Sequence, residues 1–444
     1  MSIPEREFVA SPLRGKAAMS GRRTRIAVAA CRFVAAALFV VVIAGPSPRL
    51  EGSEPPASSA EAKTSLPDLV AGVARAIARV EVWRPCQVKD AKTGKVIPGL
   101  HWAGETGTGF VVRCQRVGGS DTIDDVEFDV VTNNHVLVIT QQCDWTGPSN
   151  LMCTVYGLAT KSATVLGTDV AADLAVIRAR AQAPKGEMPK TLAWADAKSM
   201  RVGDDVVAIG YARDLRGSPT VTRGIISALR RTEPTTGIDS AQALFADLIQ
   251  SDASSNHGNS GGPLLNMRGE VLGVNTYQIP PAVTKDAKDN VSVDVTYGIF
   301  FARSSRTAKP FVDEIIRSGK VARPNLGCTM VTLIVGRFLG WPPCVRLRTG
   351  AGVPATSLAA KAGLRGGDVI IAVGSASQRP AAPDPSQETK IGSVGELNDA
   401  LGLCGGAGCI WVRFIRPPAA VVTAMGAGQQ VPYPGGNSQV AFLR

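Results

Sequence analysis

Histidine and aromatic side chains are scarce in this 444-residue chain: there are three histidines, and Phe, Trp and Tyr together make up 5%. Proteins that grip nucleic acid commonly interleave basic stretches with aromatics. No such stretch occurs, so nucleic acid is not the expected partner, although the formal net charge is +11. Seven Arg or Lys against two Glu fall in residues 1–44, and the remaining excess is thinly spread. There is no Cys-x-x-Cys, and three histidines are too few to complete the usual zinc ligand sets. Neither a metal nor a cofactor is expected. The chain also lacks an uninterrupted apolar run of the ~20 residues that a spanning helix needs. Charged residues make up only 19% and hydrophobic ones 45%, which excludes a disordered chain, and the length allows two or three domains.

What is present begins with an N-terminal apolar stretch. Arg22, Arg23 and Arg25 precede residues 33–44, and Arg32 interrupts the run before it. Val42-Ile43-Ala44 offers small residues where a signal peptidase cuts. Residues 1–45 therefore read as an export signal. If Arg32 snorkels, residues 26–44 reach across a bilayer as a membrane anchor instead. The expected location is periplasmic or extracellular, with tethering to the inner membrane as the anchored alternative. Eight cysteines follow Cys31, an even number that suits disulfides in an exported chain. They allow 105 pairings. The expectation is pairing of chain neighbours: Cys86–Cys114, Cys143–Cys153, Cys328–Cys344 and Cys404–Cys409.

Residues 46–66 are rich in Pro, Ser, Ala and Glu and read as a flexible linker. Leu69, Val70, Val73 and Ile77 have helical spacing, so a short helix is expected over 67–78. From residue 79 to about 303, short β-rich runs alternate with Gly, Asn and Asp turns, as expected of antiparallel barrels or a sandwich. A helix follows, with Phe311, Val312, Ile315 and Ile316 on one face and Gly319 as its stop. Residues 321–416 read as a separate, small α+β unit, with a strand at 369–373, a capping box at Ser393 and Glu396, and a strand at 409–415. Residues 376–391 read as a loop, and 417–444 receive no structure.

The sharpest local signal is Gly258-Asn259-Ser260-Gly261-Gly262-Pro263. A serine hydroxyl is a weak nucleophile, needing a base for its proton and donors for the oxyanion that forms. Flanking glycines let the backbone turn tightly enough for amides to converge. The base should be a histidine. His135 ends a β-rich run, where a barrel leaves it at a rim. His101 lies in a loop rich in Gly and charge, and His257 is three residues before the serine. The imidazole needs an orienting carboxylate. Asp173 is the candidate, because residues 174–177 follow it as a strand, and Asp169 is its rival.

These residues resemble the trypsin-like proteases of the HtrA (Deg) family. Thr106-Gly107-Thr108-Gly109-Phe110-Val111-Val112 is similar to the family's opening strand. Val131-Thr132-Asn133-Asn134-His135-Val136 resembles its histidine motif, Asp173-Leu174-Ala175-Val176 its aspartate motif, and residues 249–266 its serine motif. The order along the chain agrees, and the resemblance covers about residues 67–416. It implies a mainly β, chymotrypsin-like double barrel over 67–320, with His135, Asp173 and Ser260 as triad. The oxyanion hole would be made by Gly258, Asn259 and Ser260. Gly298, Ile299 and Phe300 resemble the lining of the specificity pocket. His257 stands where the family usually has proline. Ser254, six residues before Ser260, supplies no acid, so cleavage after Arg or Lys is not expected, and modest apolar side chains are. Residues 280–294 form a charged insertion that could serve regulation.

Residues 321–416 resemble a PDZ domain, on Ser357 through Gly363 and on Leu364-Arg365-Gly366-Gly367-Asp368-Val369-Ile370. Asn325, Leu326, Gly327 and Cys328 resemble the loop that holds a ligand's C-terminal carboxylate. The resemblance implies proteins or peptides as substrates, unfolded or damaged exported proteins among them. The alternative is a catalytically weak, peptide-binding or chaperone-like protein on the same fold. Family members usually assemble as homotrimers through aromatics near the start of the protease, but this chain has none between Phe39 and Trp83.

Overall fold

A computed structural model of the chain describes residues 65–87, 101–140, 144–158, 160–215, 217–233, 245–278, 297–333, 344–426 and 438–443, with short pieces between them. The expected export segment and residues 46–64 of the expected linker lie outside the described residues, as do Cys31 and Cys143.

Ser65 caps the first helix, Leu66–Val73, its hydroxyl accepting from the Asp68 amide, and Leu69 and Val73 face inward. The helix tightens over Ala74–Ala76 and ends there. Ile77, expected on the helix, instead opens the strand Ile77–Gln87. From Ile77 the burial follows a period of two, and the β-branched residues Ile77, Val80 and Val82 suit a pleated strand better than a helix.

That strand pairs with His101–Gly119 and closes a barrel. Its other members, in order, are Ile123–Thr132, Leu174–Pro184, Thr160–Asp169 and Asn150–Val155. A second closed barrel runs Phe245–Ser251, Phe300–Ser304, Val271–Gln278, Pro263–Leu265, Asp205–Gly210 and Thr220–Glu233. The mainly β, double-barrel expectation is borne out. Closure leaves neither ring an open edge. One apolar seam joins the rings: Ile77, Phe110, Val131 and Leu174 from the first meet Val207, Leu265 and Val271 from the second. Each fully buried aliphatic or Phe side chain stabilises the fold by roughly 1.5–3 kcal/mol. The helix Ser305–Ser318 lays Phe311, Val312 and Ile315 on the same seam and ends at Gly319, whose φ of 78° is left-handed. Both features follow from the sequence pattern.

The C-terminal unit is a sheet of Met330–Leu333, Cys344–Leu347, Val369–Ala376, Cys409–Ile415 and Gln439–Phe442, in that order. Helices Leu358–Lys361 and Val394–Leu403 accompany it. Residues 376–391 are not all loop, since Glu388–Lys390 pairs with the strand Val369–Ala376. The last segment also departs from the reading. It carries a helix, Ala419–Gly426, and a strand that pairs with Cys409–Ile415 and buries Ala441. A four-residue strand in a Gly- and Pro-rich stretch is too short to show periodicity. Within the insertion 280–294, Ala282–Lys285 and Val291–Asp294 pair as a hairpin.

The expected disulfide pairing fails. Cys114, Cys153, Cys328, Cys344, Cys404 and Cys409 are free thiols, which leaves every expected pair with a free member. Cys86 is disulfide-bonded. Cys153 lies in the core of the first barrel and Cys344 in the C-terminal unit. Burial pushes both thiols up to about 12, so they stay protonated.

Candidate active site

Antiparallel register brings the first two candidate residues together. Thr132, at the end of Ile123–Thr132, lies opposite Ala175, near the start of Leu174–Pro184. The residues just after one strand and just before the other therefore meet at one rim of the first barrel. His135 opens a single tight turn there, and Asp173 stands directly before its strand with a left-handed φ of 53°. His135 Nδ1 and Asp173 Oδ2 are 2.7 Å apart, and the His135 amide donates to Asp173 Oδ1 at 2.9 Å. The Thr276 hydroxyl donates to the same Oδ2 at 2.7 Å. Asn133, fully buried, donates from its amide nitrogen to the Asp173 carbonyl at 2.8 Å and to the Thr276 hydroxyl at 3.1 Å. Asp169, the rival, caps the turn through the amides of Ala171 and Ala172 and pairs with Arg323, away from the imidazole.

The imidazole keeps 48% of its side-chain surface open. Partial burial pulls its pKa down, but the hydrogen bond it donates to Asp173, the charge of Asp173 and the charge of Glu105 outweigh that pull. The net result is a pKa raised above 6.5.

The serine loop is anchored to the first barrel through Thr108, which is buried. The Thr108 amide donates to the Ser260 carbonyl at 2.8 Å, and its hydroxyl donates to the Gly258 carbonyl at 2.6 Å. Gly258 and Gly261 have left-handed φ values of 97° and 85°. A Cβ on Gly258 would sit 2.3 Å from the Tyr211 carbonyl oxygen, and one on Gly261 would sit 2.2 Å from the Thr108 oxygen. Only glycine fits either place.

The Arg213 amide donates to the His257 carbonyl at 2.6 Å. In a trans peptide the next N–H points the opposite way, so the Gly258 amide is turned away from Arg213. Neither the Gly258 nor the Ser260 amide has an acceptor among the described residues. The Asn259 amide donates to the Asn256 carbonyl at 2.9 Å and is already committed. Of the three expected oxyanion donors, two are available and Asn259 is not. The tight turn that frees its neighbours closes on Asn259.

A cavity of about 190 Å³ opens beside Ser260, lined by Ser255, Asn256, His257, Thr276, Tyr277 and Gln278. Thr276 thus faces the serine's cavity and also holds Asp173. A larger cavity, about 400 Å³, is lined by Arg79, Tyr156, Tyr211 and Ser218 and does not include Ser260. Gly298, Ile299 and Phe300, expected to line the specificity pocket, are not among the residues around the smaller cavity. Phe300 instead pairs through its backbone with Gln278 and Ser251. His101 lies near the Ile97 carbonyl at 3.3 Å, apart from this site.

In the C-terminal unit, the Gly327 amide donates to Asn325 Oδ1 at 2.9 Å, and Leu326 is buried in the core. The Gly327 amide is therefore already committed within the loop. Burial pushes the Cys328 thiol up to about 11.

Thr108, Asn133 and Thr276 all hold the site, and sequence reasoning assigned a role to none of them. Thr108 and Asn133 stand inside the quoted motifs, which was the available signal. Thr276 ends an apolar run and gives none.

Residues 107–274 match the family described as trypsin-like peptidase domain. The chain is similar to the serine protease Do-like HtrB of Bacillus subtilis (strain 168), 33% identical over 256 residues, covering 54% of this chain and 49% of the relative. It is also similar to a probable periplasmic serine endoprotease DegP-like of Chlamydia pneumoniae, 36% identical over 248 residues, covering 55% and 43%. The chain thus spans about half the length of the curated relatives it matches. A solved structure of the HtrA-type protease AlgW with a decapeptide shares the fold, with a TM-score of 0.51 at 22% identity, covering 85% of this chain and 97% of the other.

Proposed function

We propose, for a chain whose residues 107–274 form a trypsin-like peptidase domain homologous to Do-like HtrA proteases, that it is a serine endopeptidase of exported, unfolded or damaged proteins. The observation that carries this is the 2.7 Å contact between His135 Nδ1 and Asp173 Oδ2, held by the same Thr276 that lines the cavity beside Ser260.

In the reaction, Ser260 Oγ attacks the carbonyl carbon of a peptide bond and His135 Nε2 takes the hydroxyl proton. Asp173 holds the ring with Nδ1–H inward and steadies the imidazolium. The amides of Gly258 and Ser260 receive the developing oxyanion. His135 then gives its proton to the leaving amine, the C–N bond breaks and an acyl-enzyme remains. Water, deprotonated by the same histidine, attacks the acyl carbon, the acyl C–Oγ bond breaks, and His135 returns the proton to Ser260 Oγ. Removing one oxyanion donor in such a site costs on the order of a hundredfold in rate.

Residues 67–320 are the protease unit in this reading, and 321–416, extended by the strand Gln439–Phe442, are a PDZ-like unit. Export to the periplasm is supported by the arginine-led apolar segment and by relatives named periplasmic. Whether that segment is removed or kept as an anchor is read by sequencing the mature N-terminus, and a start near residue 45 excludes the anchor. Assembly as a homotrimer is part of the same proposal and is read by the mass in solution. Casein cleavage tests the central claim: wild type cuts, and Ser260→Ala does not. Equal cleavage by both ends the claim.

A further inference from the structure

Among the described residues, the cavity beside Ser260 is made of hydrogen-bonding side chains with no Lys, Arg, Asp or Glu. Ser255, Asn256 and His257 come from the loop that leads into the serine, and Thr276, Tyr277 and Gln278 from the end of the strand Val271–Gln278. The side chain before a cleaved bond hangs from the carbon bonded directly to the attacked carbonyl, so a cavity beside Ser260 lies within its reach.

The Thr276 hydroxyl is spent on Asp173. The side chains of Ser255, Asn256, His257, Tyr277 and Gln278 make no hydrogen bond among the described residues, so their capacity is open to a ligand. A hydrogen-bonding side chain satisfies these groups. An apolar one of the same shape strips water from them and returns nothing. Sites built to hydrogen-bond a substrate group reject the analogue lacking it far more strongly than apolar pockets discriminate by size. Among the described residues no Lys, Arg, Asp or Glu lines the cavity, so a charged side chain would meet no counter-ion from them. The volume, about 190 Å³, suits one side chain of moderate size.

We propose that this cavity selects a neutral, hydrogen-bonding side chain of the glutamine or asparagine class before the cleaved bond, with Gln278 and His257 as specificity-determining residues. The proposal rests on the endopeptidase reading, and it replaces the expectation of modest apolar side chains. That expectation rested on Ser254, which supplies no acid and is not among the residues lining the cavity.

The test is a set of fluorogenic peptides identical except at that position, carrying Gln, Leu, Val, Glu or Arg, cut by the full chain. Leu is close to Gln in size and lacks its amide. The expected result is a kcat/KM for Gln at least about tenfold above Leu, with Val, Glu and Arg also below Gln. Gln278→Leu should narrow the Gln-to-Leu ratio severalfold or more. Leu or Val cut as well as Gln by the wild-type chain overturns the proposal, and that result needs no variant to fold. If casein is cut in a Ser260-dependent way and Gln is not preferred, only this inference falls. If neither casein nor any peptide is cut, the endopeptidase reading falls and takes the inference with it.

Discussion

Asp173 is held from several sides: by the His135 amide and ring, by Thr276 and, through its carbonyl, by Asn133. A residue with left-handed backbone has to be fixed by its neighbours, and Thr276 is the neighbour that also faces the serine's cavity. Thr276→Val removes the hydroxyl and keeps the shape. Steady-state kinetics should show a kcat/KM lower by about ten- to a hundredfold, with Thr276→Ser largely restoring it. The base itself sets the pH response. His135 acts while neutral and its pKa lies above 6.5, so activity should fall on acidification from a point higher than an ordinary histidine would give. Glu105 is one of the charges raising that pKa. A pH–rate profile of Glu105→Gln should therefore show the acid limb displaced to lower pH. The meeting of His135 with Asp173 was legible in the sequence, because each stands in a run that resembles a known motif. Thr276 was not, since its role arises only when the fold brings it to a carboxylate 103 positions away.

Elements repeat the contrast. Long strands and the helix over Ser305–Ser318 were readable, because apolar periodicity and a glycine stop act locally. The strands Glu388–Lys390 and Gln439–Phe442 were not, because three or four residues join a sheet only when a longer neighbour offers its edge. The serine loop was readable in its glycines but not in its hydrogen bonds, so Asn259 was counted as a donor although the turn consumes its amide. That geometry makes Gly258 intolerant of change. Gly258→Ala forces a Cβ to 2.3 Å from the Tyr211 oxygen at a left-handed φ. Chemical denaturation should show a loss of about 1–2 kcal/mol, and casein cleavage should fall by a much larger factor as the loop shifts.

For the whole molecule, charge is buried where composition would put it outside. Arg303, 1% exposed, leaves the second barrel to pair with Asp399 on the helix Val394–Leu403. Arg323 links Asp169 of the first barrel to the Asn398 carbonyl and lies over the Phe311 ring. Burial pushes the Asp399 carboxyl up to about 6, against the pull of Arg303 and Arg323. A carboxyl whose pKa rises on folding holds its proton more tightly in the folded state. It therefore adds stability as pH falls through about 6 toward its unfolded value near 3.8. Asp399→Asn cannot titrate. The Tm of wild type minus that of the variant should increase from pH 7.5 to pH 5 in thermal unfolding, and an unchanged or shrinking difference rejects the assignment.

Thr108 belongs to a strand of one ring and grips the nucleophile's segment of the other by both its amide and its hydroxyl. Warming that drives the rings apart must pull this residue out of its grip, so the serine is disarmed in the same event that opens the seam.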